Sequence, residues 1–236
     1  MPYLDANGVH TYYEEHGSGE PMLLLHGGGV GGDSFGDWIG WFAERYLVRV
    51  PDRRGQGHTP DVEGPLSYEV MARDTIAFIE AVGPERTHLV GWSDGGNIAL
   101  LVGASRPDLV GKIVTIGAYA TVDGLTPAGR DSIDLAADGS PFSVKLIACW
   151  FDESYAIDLT AVAARTLVVA GDDDIVSNAH TASIAESIPN AELAIVPGSS
   201  HLVVMEKPDL LRVIFRGFLE ADPPETLLPL RRATPG

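Results

Sequence analysis

The sequence predicts an α/β layered fold, a mostly parallel β-sheet with helices on both faces, and three observations lead there. Short apolar runs recur at residues 22–25, 46–50, 88–90, 113–116, 167–170 and 193–196 without the apolar and polar alternation of a half-exposed strand. Such runs suit strands that are buried on both faces. Segments with helical spacing separate them, and that alternation places helices on both sides of the sheet with right-handed crossovers. Finally, 236 residues suffice for one sizeable core, so a single domain over residues 1–222 is expected.

Taken in order, the chain opens on a β-hairpin. Residues 3–6 and 9–13 flank Asn7 and Gly8, the pair that most readily supplies two positive φ angles in a type I′ turn. Ser67 is placed to cap a helix whose Met71, Phe78, Ile79 and Val82 share one face before Gly83 and Pro84 stop it. A second helix is expected from Gly95 to about Ser105, and a third from about Asn178 towards Pro189. A fourth begins with Pro208 in its first turn and carries Leu210, Leu211, Ile214, Phe215 and Phe218. Residues 119–165 break this rhythm. Trp150, Phe151 and Tyr155 beside Leu146 and Ile147 there suggest a small helical cap over one edge of the sheet. The Pro-rich tail, residues 223–236, is read as loosely ordered.

Composition narrows the function. Hydrophobic residues form 45% of the chain and charged residues 21%, as in an ordinary globular protein. With 16 basic and 33 acidic side chains the formal charge is −17, a field that repels phosphate backbones and anionic lipid. Nucleic acid and membrane surfaces are therefore poor partners, and a small neutral or cationic molecule is the expected one. Cys149 is the sole cysteine, so no internal disulfide can form, and the first residues have neither the basic nor the apolar region of a signal peptide. A cytoplasmic protein is expected, and no apolar run approaches the roughly 20 residues of a membrane helix.

The chemistry centres on Ser93. The run ending at Val90 continues through Gly91, Trp92, Ser93, Asp94 and Gly95 into a helix, a G-x-S-x-G pattern in its strand, turn and helix setting. Glycines on either side allow a tight turn that presents the serine oxygen, and the following helix directs its free amides and dipole at it. A serine needs a base held by a third group. Asp172, Asp173 and Asp174 follow the run 167–170, and His201 follows the run ending at Val196, which gives the order serine, acid, histidine. All three fall at the carboxyl ends of strands, where open α/β sheets bind ligands. Asp174 is the expected acid because Ile175 and Val176 follow it directly; Asp172 is the alternative. For the oxyanion, the loop His26, Gly27, Gly28 and Gly29 offers a backbone donor, Gly28 first and Gly29 in reserve, and the amide of Asp94 offers the other. No histidine or cysteine stands at metal-ligand spacing, so neither metal nor cofactor is expected.

Together these residues resemble the α/β-hydrolase superfamily from Tyr12 to about Leu219. Asp52, Arg54, Gly55 and Gly57 look like its D-x-R-G-x-G loop, and His201 with Glu206 and Pro208 looks like its C-terminal signature. The turn from Gly91 to Gly96 is similar to that of the valacyclovirase and biphenyl-hydrolase-like group, as is the stretch from Lys112 to Tyr119 with Thr121, Val122 and Asp123. That resemblance implies that Asp94 binds the α-amino group of an amino-acid ester; an aspartate in a first helical turn equally well stabilises the helix dipole. Asp94, Gly29 and Trp150 are the expected substrate contacts. The segment 119–165 is shorter than that group's cap, so its pocket does not carry over. The expected activity is hydrolysis of a small ester through an acyl-enzyme on Ser93. The same residues also suit a lactone, a carbon-carbon bond or perhydrolysis, and a ligand-binding receptor on this scaffold is the rival from outside enzymology.

Overall fold

A computed structural model describes residues 3–83, 85–134 and 139–221. The expected tail, 223–236, lies outside the described residues. The hairpin forms as read: β1 (Tyr3–Ala6) and β2 (Val9–Gly17) pair antiparallel across Asn7 and Gly8, whose φ angles are 49° and 75°. Then come β3 (Glu20–Leu25), α1 (Asp37–Ala43), β4 (Tyr46–Pro51), α2 (Tyr68–Val82), β5 (Thr87–Trp92), α3 (Asp94–Ser105) and β6 (Val110–Ile116). The segment 119–165 contributes α4 (Pro127–Asp134) and α5 (Pro141–Trp150). β7 (Arg165–Asp173), α6 (Asn178–Ser187), β8 (Ala191–Ser200), α7 (Val203–Glu206) and α8 (Pro208–Leu219) complete the order.

The eight strands lie in the order β1-β2-β4-β3-β5-β6-β7-β8. β2 meets β4 antiparallel, and every neighbour from β4 to β8 is parallel. Successive residues of a central strand serve opposite faces, as the pleat requires. Leu23, Leu25, Leu89 and Ile113 pack with Met71, Phe78 and Ile79 of α2 and Ile98 and Leu100 of α3. Met22, Leu24, Val90 and Val114 pack with Trp38 and Phe42 of α1 and Leu211, Phe215 and Phe218 of α8. Each such side chain, once fully buried, contributes roughly 1.5–3 kcal/mol of hydrophobic stabilisation. Ser67 caps α2 by accepting from the Val70 N–H at 3.3 Å.

Two expectations are corrected. The run 193–196 is not buried on both faces: β8 is the sheet edge, and Leu193 is 44% exposed. Leu210 is likewise 43% exposed, because the apolar stripe of α8 turns inward through Leu211, Phe215 and Phe218 instead.

Candidate active site

The turn between β5 and α3 holds Ser93 at φ 55°, ψ −121°, one of two positive-φ residues other than glycine among the described residues. Backbone of that kind stores roughly 1–3 kcal/mol and persists only where its surroundings enforce it. Here the Ser93 N–H donates to the Ile116 carbonyl at 2.7 Å, and the Ser93 carbonyl accepts from the N–H groups of Gly96 at 2.8 Å and Asn97 at 3.2 Å. Only glycine fits beside it. A Cβ on Gly91 would overlap the Gly95 carbonyl, and one on Gly95 would overlap the Leu25 carbonyl of β3.

Ser93, His201 and Asp174 are brought into one hydrogen-bonded line. His201 Nε2 lies 2.9 Å from Ser93 Oγ, and its Nδ1 lies 2.7 Å from Asp174 Oδ1. Since an ionised carboxylate only accepts, the ring proton is assigned to Nδ1, which leaves Nε2 free to accept from the serine. The Asp174 side chain is fully buried, and its Oδ1 also accepts from the Val176 N–H at 3.1 Å. Asp172, the alternative acid, does other work. Its carboxylate accepts from the Ser199 N–H at 3.1 Å, and backbone donors at Gly198 and Ser199 hold it below the usual aspartate range. Glu206 grips the same loop through the Ser200 N–H at 2.6 Å and hydroxyl at 2.9 Å. The Trp92 indole donates to the His201 carbonyl at 3.0 Å. The loop is thus held at three successive residues, Ser199, Ser200 and His201.

The two preferred oxyanion donors have no acceptor among the described residues: neither the Gly28 N–H nor the Asp94 N–H is taken by a protein group, and both residues line the cavity beside Ser93. Gly29 is different. Its N–H donates to Gln56 Oε1 at 2.8 Å, and the residue does not line the cavity, which removes it as the reserve donor and as a substrate contact in this conformation.

The cavity over Ser93 holds about 210 Å³. Ile133, Ile175 and Leu202 give it apolar walls, and Trp150, at the end of α5, reaches in from the cap segment. The Trp150 indole N–H is shared between the two carboxylate oxygens of Asp94, 2.9 Å from each. Tyr68, which sequence reasoning assigned no role, donates to Asp94 Oδ1 at 2.7 Å. Because that proton is committed to the carboxylate, Tyr119 is the donor in its 2.7 Å contact with Tyr68, and the Trp150 carbonyl at 3.3 Å is a second acceptor for the same proton. Burial first, and the Asp94 charge second, push both phenols upward, so they stay protonated. Asp94 is only 2% exposed, and its side chain ties α2, α3 and α5 together at the cavity wall. Cys149 is buried, and burial drives its thiol far upward, which suits a small packed side chain. Among the described residues no cluster of histidine, cysteine or carboxylates is placed to hold a metal, and no helix is long and apolar enough to cross a membrane.

Known proteins share this fold. The alpha/beta hydrolase fold family matches residues 20–129. A putative carbamate hydrolase, RutD, of Azorhizobium caulinodans is 26% identical over 92% of this chain and 98% of its own length. The serine hydrolase BPHL of mouse is 26% identical over 91% of this chain and 84% of its own. Among solved structures, the enol-lactonase of Burkholderia xenovorans superposes with a TM-score of 0.79 at 18% identity, covering 93% of this chain and all of that one. A mostly parallel eight-stranded sheet, a strained serine between β5 and α3, and likeness to named hydrolases over nine tenths of the chain give it the α/β-hydrolase fold and mark it as an enzyme of the hydrolase class.

Proposed function

We propose that the chain is a serine hydrolase of small carboxylic esters. The observation that carries the reading is the continuous line from Ser93 Oγ through both ring nitrogens of His201 to the buried Asp174. In this mechanism Ser93 Oγ attacks the ester carbonyl while its proton passes to His201 Nε2, and Asp174 holds the imidazolium that results. The oxyanion is met by the N–H groups of Gly28 and Asp94. Collapse expels the alcohol, which takes the proton from His201. Water deprotonated by His201 then releases the acyl group from Ser93.

The substrate reading follows from the walls. A cavity of about 210 Å³ suits a short acyl group, and Ile133, Ile175 and Leu202 favour apolar carbon there. No lysine or arginine is among the described residues that line it, whereas Asp94 is. An ester that carries a carboxylate meets a buried like charge and no cation in the cavity wall to receive it, so neutral and amine-bearing esters are preferred. The preference for amine-bearing esters also draws on the likeness to BPHL. A small molecule met in the cytoplasm completes the proposal.

The test is hydrolysis of p-nitrophenyl acetate, p-nitrophenyl butyrate, an amino-acid ester and a succinate half-ester by the native protein beside Ser93→Ala. Turnover of the neutral or amine-bearing esters that vanishes in the variant is expected. Ester turnover that survives in Ser93→Ala, or a native protein inert to all four, would reject the proposal, the latter in favour of a lactone or carbon-carbon substrate.

A further inference from the structure

Arg53 occupies the open position of the Asp52, Arg53, Arg54, Gly55 loop, next to an arginine with an evident structural partner. Arg54 is paired with Asp74 through two bonds, Nε to Oδ2 at 2.5 Å and Nη2 to Oδ1 at 2.7 Å. Arg53 has no carboxylate within ion-pair distance among the described residues. It is 6% exposed, and its Nε and Nη1 have no hydrogen-bond partner. Burying a cation without a paired anion is costly, so the position calls for an explanation.

Its Nη2 supplies one. It donates to the Gly27 carbonyl at 2.6 Å, and His26 Nδ1 lies 2.7 Å from the same oxygen. The tautomer of His26 follows from its other nitrogen. Nε2 accepts the backbone N–H of Arg53 at 3.1 Å, so the proton sits on Nδ1, which donates to Gly27. The 3.2 Å approach of Arg53 Nη2 to His26 Nδ1 is then two donors converging on one acceptor. Burial and the neighbouring Arg53 cation keep the His26 ring neutral, in keeping with that arrangement.

The Gly27 carbonyl and the Gly28 N–H belong to one peptide unit. No peptide bond in the described chain is cis, and in a planar trans unit the two groups point in opposite directions. Two donors anchored on the carbonyl therefore fix the direction of the N–H, which belongs to the wall beside Ser93. In a run of three glycines no side chain restrains that rotation.

We propose that Arg53 is a positioning residue for the oxyanion: through the Gly27 carbonyl it holds the Gly28 N–H toward the reacting centre. The inference rests on the serine-hydrolase reading above. Arg53 does not line the cavity over Ser93, so it acts on the transition state and leaves substrate binding alone. Deleting an oxyanion donor outright costs about 10²–10³ in rate, and loosening one is expected to cost less, about 10- to 100-fold.

The experiment is the labelling of Ser93 by a fluorophosphonate, followed as rate and as final amplitude, in native protein, Arg53→Met and Arg53→Lys, with kcat and KM on p-nitrophenyl butyrate alongside. The expected result is full amplitude in all three, a rate about 10- to 100-fold lower in Arg53→Met, an intermediate rate in Arg53→Lys, and losses confined to kcat. A residue needed only for folding would lower the amplitude and leave the rate of the folded fraction unchanged. Labelling at the native rate in Arg53→Met, or a loss seen only in amplitude or in KM, overturns the inference. If Arg53→Met fails to fold, Arg53→Lys decides alone: slower labelling at full amplitude supports the role, and the native rate refutes it. Native protein that takes no label overturns the serine-hydrolase reading, and this one with it, at a step where the variants play no part.

Discussion

Asp174→Asn separates the two acids that the sequence leaves in contention. In the native site the carboxylate lies 2.7 Å from His201 Nδ1 with no exposure of its own, while His201 is 16% exposed. When His201 takes the serine proton, a cation forms next to that buried anion. With charge centres roughly 4 Å apart and an effective dielectric of about 20, their attraction is about 4 kcal/mol. An amide of the same shape forfeits it, which corresponds to about a thousandfold in kcat at ~1.4 kcal/mol per decade. Geometry offers no escape. Asp174 Oδ1 serves both His201 and the Val176 N–H, so an asparagine that keeps its oxygen there puts its NH₂ where Oδ2 now lies buried without a partner. The reverse rotamer presents a donor to Nδ1 and selects the wrong tautomer. Asp172→Asn keeps an oxygen for the Ser199 N–H and is exposed, so its kcat is expected within a few fold of native. The assay is steady-state hydrolysis of p-nitrophenyl butyrate by the three proteins, each checked for its melting temperature. A kcat for Asp174→Asn above a tenth of native, or an equal loss in Asp172→Asn, refutes the reasoning.

Two more perturbations follow from the same contacts. Trp150→Phe removes the one indole donor shared by the two oxygens of Asp94 and leaves Tyr68 as the remaining neutral donor. A bond to a charged group is worth about 1.5–3 kcal/mol, so urea unfolding should show a loss of that order, discounted because Trp150 is only partly buried; unchanged stability would mean that water replaces the indole. Stability should also depend on pH through His26, fully buried and held well below its ordinary range by burial and then by Arg53. Between that lowered value and about 6.5 the unfolded chain binds a proton that the folded one refuses, so stability is fully present above about pH 6.5 and falls on acidification by up to ~1.4 kcal/mol per pH unit. Urea midpoints that are flat or rising from pH 7.5 to 5.5 would contradict this.

How far the sequence carries depends on which contacts are local. Both strands of the hairpin, the Ser67 cap and the turn around Ser93 are set by neighbours within a few residues, and all are readable. The order of serine, acid and histidine was readable because each follows a strand in a parallel sheet. Among Asp172, Asp173 and Asp174 the sequence favours the last only through the apolar Ile175 and Val176 after it. Burial separates them further: Asp174 is enclosed against His201, whereas Asp172 and Asp173 are exposed. Likewise Gly28 and Gly29 have identical side chains, and only Gln56, 27 residues further on, makes them different by taking the Gly29 N–H. The exposure of Leu193 depends on β8 having no neighbour on its far side, a property of the sheet and not of the run 193–196.

The residues that escaped notice share a cause. Tyr68 sits at the start of α2, where its side chain reads as core, and its hydroxyl gains meaning only because Asp94 lies 26 residues away in sequence and 2.7 Å away in space. Arg53 reads as a surface charge in a polar loop, yet it is buried against the carbonyl of Gly27. Asp172, the alternative acid, and Glu206, part of the resemblance at the C-terminal signature, hold the backbone at Ser199 and Ser200, the two residues before His201. In each case a charged or hydroxyl side chain acts on the backbone or on another side chain that faces the cavity, and periodicity carries no record of such pairings. The groups beside the cavity are therefore legible as a motif, whereas the groups that aim them are legible only as distances. That asymmetry is why a change at Arg53 is expected to slow the reaction while leaving every motif residue in place.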